Sequence, residues 1–189
     1  MAGCRSLNDT EINEIKNKLE LTRNKLLFVL GLKTGLRITE LLSITMGDII
    51  ANGIIGDRVK IRRANMKGKL AGREVIIHDE VKEVLKEYVK EIGSFTDDTP
   101  LFESPQNLGK AISRKTAWQV LKEAYAEAGA LGQTGCHSMR KTHAMKVYEQ
   151  SGYNILLTQK CLGHTSLQNT VKYLDIEQSM VDEIVKKLK

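Results

Sequence analysis

The 189-residue sequence predicts an α+β, mainly α domain with one small antiparallel sheet. Three observations carry that prediction. Apolar residues recur at helical spacing through most of the chain. One interval, about 48–78, switches to β-branched residues broken by Asn-Gly, Gly-Asp and Lys-Gly turn signals. Helical spacing then resumes and runs almost to the last residue.

The elements follow in order. Asn8 and Glu11 stand at capping-box spacing, which starts a helix near Asp9. Leu26, Leu27, Leu30 and Leu32 mark a second helix that stops at Gly35, and a short third helix over 38–44 follows Arg37. The stretches DIIANGIIGDRVKIRRA and REVIIH read as two or three strands, taken as one three-stranded sheet, with ANMKGKLAG joining the last two. In DEVKEVLKEYVKEIG the pairs Asp79/Lys82, Glu83/Lys86 and Glu87/Lys90 line a solvated face, while Val81, Val84, Leu85, Tyr88 and Ile92 form the buried stripe. Both prolines fall in 96–106, which reads as a loop. Ala117, Val120, Leu121, Ala124 and Ala128 predict a helix over 113–128. Further helices are expected over 138–150, 154–162, 166–173 and 177–188.

A chain of this length buries roughly 70% of its unfolded surface, enough for one sizeable core. The longest apolar run, 26–32, falls far short of the ~20 residues a bilayer needs, so no membrane association is expected. The first residues carry no apolar signal-peptide core, and three cysteines without a CxxC make no disulfide framework. These features predict a cytoplasmic protein. The net charge of +6 is unevenly placed. Arg58, Lys60, Arg62, Arg63, Lys67, Lys69 and Arg73 fall in one segment that holds a single acid, Glu74. Such a concentration suits a polyanion, although a solvated lysine-rich hairpin explains it as well.

Four motifs bear on chemistry. In HSMRKTH, His137 and Arg140 are three apart at an expected helix start, where unpaired backbone N–H groups favour a phosphate. The plain alternative is a helix cap and a surface ion pair. In TGLRITELL, Arg37 follows a glycine turn among apolar neighbours, so its guanidinium should be half-buried and in need of a partner. Glu40 serves that purpose structurally, and a ligand phosphate serves it equally well. In LGHTSLQNTVKY, Gly163 reads as a helix C-cap and Thr165 with Gln168 as a capping box, which places His164 in a tight turn. Val171 and Leu174 are expected to face the core. Tyr173 then reads either as a packing residue or as a nucleophile. A zinc site from Cys136, His137 and His143, or from Cys161 and His164, lacks workable four-ligand spacing, so no metal is expected.

Taken as an ordered set, Arg37 in GLRITELL, a lysine-bearing hairpin, HxxR at 137–140, LGH at 162–164 and Tyr173 nine residues later closely resemble the catalytic domain of the tyrosine recombinases, the phage-integrase family. The resemblance implies a helical catalytic domain that cuts and rejoins DNA through a 3′-phosphotyrosine, with no cofactor. It implies Tyr173 as nucleophile, Arg37 and Arg140 as the clamp on the scissile phosphate, and His137 and His164 as groups that orient it and handle protons. It implies a hairpin lysine as general acid to the leaving 5′-oxygen: Lys69 fits best and Lys67 is the alternative. It gives Arg62, Arg63, Lys67, Arg73, Lys110, Arg114 and Lys115 to the DNA backbone, with double-stranded DNA as partner and a homodimer or homotetramer on it. Residues 1–189 are expected to be a single such domain without the family's common N-terminal core-binding domain. A C-terminal helix over 177–189 docks on a neighbouring subunit or on its own core.

Overall fold

The computed structural model describes residues 4–62, 72–174 and 185–186. The chain divides into two units, residues 1–143 and 144–189, and the division falls inside one helix.

The first unit opens on helix α1 (Asp9–Lys18), whose start bears out the expected capping box. Asn8 Oδ1 accepts the Glu11 backbone N–H at 2.8 Å, and Glu11 Oε2 accepts that of Asn8 at 3.0 Å. Helix α2 (Thr22–Thr34) is buried almost all round, with Leu26, Leu27, Phe28, Val29 and Leu30 fully enclosed, which makes it the central rod of the core. It ends at Gly35 in the left-handed region, φ 61°. Helix α3 (Ile38–Leu41) is shorter than expected, and a 3₁₀ turn (Met46–Asp48) follows.

Among the described residues six short strands follow, four before the next helix and two after it. β1 (Ile50–Ala51) pairs with β2 (Ile54–Ile55) across Asn52-Gly53, both at positive φ, which is the two-residue hairpin turn that Asn-Gly favours. β3 (Arg58–Ile61) pairs with β4 (Arg73–Ile76), Ile61 opposite Arg73, and Val59 and Ile61 point into the core. β5 (Glu103–Ser104) pairs with β6 (Asn107–Ala111).

The expected three-stranded sheet is therefore replaced by three two-stranded antiparallel sheets among the described residues. The chain bends at Gly56, whose N–H goes back to Ile49 O at 2.9 Å, so β2 closes on β1 before β3 begins. The supposed loop 96–106 also holds β5, whose partner β6 has neither alternation nor β-branched residues to announce it.

Helix α4 (Asp79–Ile92) buries Val81, Val84, Leu85 and Tyr88, as its stripe predicts. Glu80 on α4 accepts hydrogen bonds from Lys16 of α1 at 2.7 Å and Lys33 of α2 at 2.9 Å, a three-helix clasp. Helix α5 (Arg114–Glu127) is capped by Ser113 and carries the only tryptophan of the sequence, Trp118, which is 44% exposed with Lys122 Nζ 4.8 Å from its ring centre. One core cluster runs from Leu7 to Met139.

Helix α6 (Cys136–Gln150) starts two residues earlier than expected and crosses into the second unit. There α7 (Ile155–Leu162) is capped by Asn154 and ends at left-handed Gly163, and α8 (Leu167–Val171) follows. Ala144, Leu162 and Leu174 form its buried cluster. The N-cap of α8 is Ser166, which makes no side-chain cap bond, so the Thr165/Gln168 box does not form. Val171 is exposed, and the fully buried Thr170 takes the inward position instead. The helix expected over 177–188 lies outside the described residues except for 185–186, which are helical.

Candidate active site

In the first unit the left-handed turn at Gly35 organises a cluster of cations. A β-carbon at Gly35 would lie 2.5 Å from Cδ2 of His143, so only glycine allows this approach. His143 Nδ1 faces the Leu32 carbonyl at 3.1 Å; a carbonyl only accepts, so Nδ1 carries the proton. Burial, with Arg140 and Arg73 nearby, pushes the His143 pKa down to about 4. Arg140 is fully buried and its Nη1 donates to the Gly35 carbonyl. The surface ion pair held open for Arg140 is thus ruled out.

Two residues beyond Gly35, Arg37 begins α3 in extended conformation. The buried Glu40 carboxylate accepts Arg37's backbone N–H at 2.7 Å through Oε2, and its Nη1 at 3.4 Å through Oε1. Arg73 Nη2 lies 3.7 Å from Glu40 Oε2. Arg37 is half-buried, as expected, and Arg73 is more enclosed. His137, on the first turn of α6, keeps an exposed edge. Partial burial of its ring, followed by the charges of Arg140 and Arg37, holds its pKa below the ordinary imidazole value. Two guanidinium groups, of Arg37 and Arg73, thus share one carboxylate, and the charge of Arg140 is felt at both His137 and His143, so the surplus positive charge complements an anion.

In the second unit, His164 follows Gly163 in the expected tight turn. Its N–H donates to Gln159 O at 3.1 Å, and its carbonyl accepts Gln159 Nε2 at 3.2 Å. Its Nδ1 is 3.0 Å from Thr170 Oγ1. Thr170 O accepts the backbone N–H of Tyr173 at 2.9 Å. The His164 and Tyr173 rings lie 5.3 Å apart, tilted by 50°. Tyr173 is half-buried against the Ala144–Leu162–Leu174 cluster, so it packs and keeps part of its surface open to solvent.

The remaining sequence-predicted cations are scattered. Lys110 on β6 and Arg114 and Lys115 on α5 are exposed. Arg62 is fixed by Asp48 at 2.9 Å and Thr45 at 3.2 Å. Arg73 is not an outward cation but a member of the cluster. Arg63, Lys67 and Lys69 lie outside the described residues. Sequence reading passed over His143 except as a zinc candidate, and it missed Thr170. His143 stands three after Arg140, on the same helical face, and that spacing was the available signal. Thr170 gave none. Among the described residues no helix is long and apolar enough to cross a membrane.

The sequence pattern of the phage integrase family matches residues 5–180. The probable integrase/recombinase YoeC of Bacillus subtilis (strain 168) is 30% identical over 171 residues, which cover 89% of this chain and 87% of YoeC. Among solved structures, the XerA recombinase aligns with a TM-score of 0.79 at 23% identity, over 99% of this chain and 64% of that one. The XerH site-specific recombinase bound to palindromic difH substrate, a post-cleavage complex, aligns with a TM-score of 0.76 at 23% identity, over 96% and 52%. The chain thus spans most of YoeC, but only 64% and 52% of the two crystallised recombinases.

Proposed function

The chain belongs to the phage integrase family, and from that premise we propose that it is a site-specific DNA recombinase or integrase that works through a 3′-phosphotyrosine. The observation that carries the reading is the pair of Arg37 and Arg73 on one buried carboxylate, with Arg140 buried at the Gly35 carbonyl and His137 under the charges of Arg140 and Arg37. A phosphodiester is anionic, and charge builds on its non-bridging oxygens during in-line attack. Fixed guanidinium and imidazole donors stabilise that charge without reorganising at the moment of reaction.

The steps follow from the groups present. Tyr173 Oη attacks the phosphorus and gives up its proton, and a bond forms between tyrosine and the 3′-phosphate. The bond to the 5′-oxygen breaks, and Lys69, or Lys67, protonates the leaving alkoxide. His164, held by Thr170 and Gln159 beside the Tyr173 ring, acts in proton handling. The phosphotyrosine keeps the energy of the original bond, so a 5′-hydroxyl of the same or another strand reseals the DNA by the reverse step. The exposed Lys110, Arg114 and Lys115 contact backbone phosphates, which makes affinity fall steeply with salt. Double-stranded DNA is the partner, and strand exchange requires two or four copies of the chain. The site of action is the cytoplasm.

A nicked suicide duplex carrying the target site tests the reading. Wild-type protein is expected to leave a covalent adduct on a denaturing gel, and Tyr173→Phe none. An undiminished adduct in Tyr173→Phe would place the nucleophile elsewhere.

A further inference from the structure

We infer that Arg73 is a positioning residue for the phosphate-binding fork of Arg37, acting through Glu40; the inference rests on the strand-cleavage reading above. Glu40 is 1% exposed, and its oxygens face different groups. Oε1 takes Arg37 Nη1 at 3.4 Å, a long contact. Oε2 accepts Arg37's backbone N–H at 2.7 Å and lies 3.7 Å from Arg73 Nη2. A buried carboxylate facing a single arginine draws both of its terminal nitrogens into a bidentate pair. That geometry would occupy the donors a phosphate needs.

Arg73 removes the pull. Its charge balances Glu40 from the Oε2 side, so Arg37 is held through one nitrogen. The side chains differ in the required sense: Arg73 is 16% exposed and Arg37 35%, so the inner arginine serves the carboxylate and the outer one is open to ligand. Arg73 is also fixed from below. It opens β4 opposite Ile61, and Ile61 and Val59 are buried in the core. The Arg73–Glu40 contact therefore ties the β3–β4 hairpin to α3. A cation whose task was to meet DNA backbone would sit outward, as Lys110 and Arg114 do.

Single-turnover adduct formation and equilibrium DNA binding, measured side by side, test this. Arg73→Met is expected to slow adduct formation about 30-fold while Kd moves less than about threefold, the size of a coupled charge pair. Adding Glu40→Gln is expected to restore about tenfold of that loss, because a neutral amide no longer captures Arg37. Parallel loss of binding and cleavage would make Arg73 a docking cation, and a double variant no faster than Arg73→Met would show that Glu40 is not the intermediary. Either result overturns the inference. Should circular dichroism show Arg73→Met unfolded, Arg73→Gln takes its place. It is expected to lose about 30-fold in rate at nearly constant Kd, since the amide lacks the charge that balances Glu40; full rate would overturn the inference. A wild type that forms no adduct sinks the strand-cleavage reading and this inference with it. An active wild type with an indifferent Arg73→Met sinks the inference alone.

Discussion

The two units hold their functional side chains in different ways. In the first, the charged groups are braced by a large core: Arg140 by the Gly35 carbonyl, His143 by the Leu32 carbonyl, and Arg37 and Arg73 by one buried carboxylate. In the second, His164 and Tyr173 depend on Thr170 and Gln159 and pack on a cluster of three buried apolar residues. The difference teaches where rigidity is needed. Donors that stabilise a developing charge act best when fixed beforehand. Tyr173, the nucleophile proposed above, packs instead on the Ala144–Leu162–Leu174 cluster of the second unit.

Perturbing the first unit should therefore cost stability and chemistry together, and perturbing the second should cost mainly chemistry. The largest expected effect is that of Arg140→Ala. It removes the donor to the Gly35 carbonyl and, on the reading proposed above, a group of the phosphate clamp, and is expected to slow cleavage by about 10³-fold and destabilise by about 3 kcal/mol. Tyr173→Phe, which abolishes the adduct, should change stability by less than about 1 kcal/mol. Equal destabilisation of both variants in urea melts would break the contrast. Gly35→Ala comes next. The left-handed backbone and the contact with His143 make it cost about 2–4 kcal/mol, read from the urea midpoint, and unchanged stability would show that the turn relaxes.

Thr170→Val tests the second unit. It removes the hydroxyl partner of His164 Nδ1 and should slow cleavage about tenfold, with a loss of about 1 kcal/mol in stability. A larger loss of stability than of rate would make Thr170 a packing residue. The last effect is the response to acid. His143, held at about 4 against an ordinary 6.5, supplies stability in full above pH 6.5 that is lost as the pH falls toward 4. Glu80 behaves alike lower down: burial raises its pKa, but Lys16 and Lys33 overcome this and hold it at about 2 against 4.5. Its contribution is lost between pH 4.5 and 2, on the order of 1–2 kcal/mol after solvent screening. Both groups belong to the first unit, so stability measured against pH should show two successive losses; His143→Gln should remove the upper and Glu80→Gln the lower.

Local signals were legible and long-range ones were not. Asn8 with Glu11, Gly35, Gly163 and the α4 stripe act within a few residues, and each appears where the spacing puts it. The strands β1 to β4 were read, but their partition into two sheets was not, because it turns on the bend where Gly56 bonds back to Ile49, and β5 and β6 were missed. Val171 was assigned inward by hydrophobicity, whereas the inward place goes to Thr170, whose hydroxyl meets His164. Arg37, His137 and Arg140 were picked out by motif. Arg73 looked like one more basic residue in a basic stretch, and only the fold sets it 3.7 Å from a glutamate 33 positions earlier.

The lone tryptophan offers a last consequence. The indole nitrogen of Trp118 is 3.9 Å from where a Gly135 β-carbon would stand, one step before the helix that bears His137 and Arg140. The chain thus carries its own optical reporter. Emission from an unlabelled sample can follow oligonucleotide titrations in real time, without a dye to disturb the surface under observation.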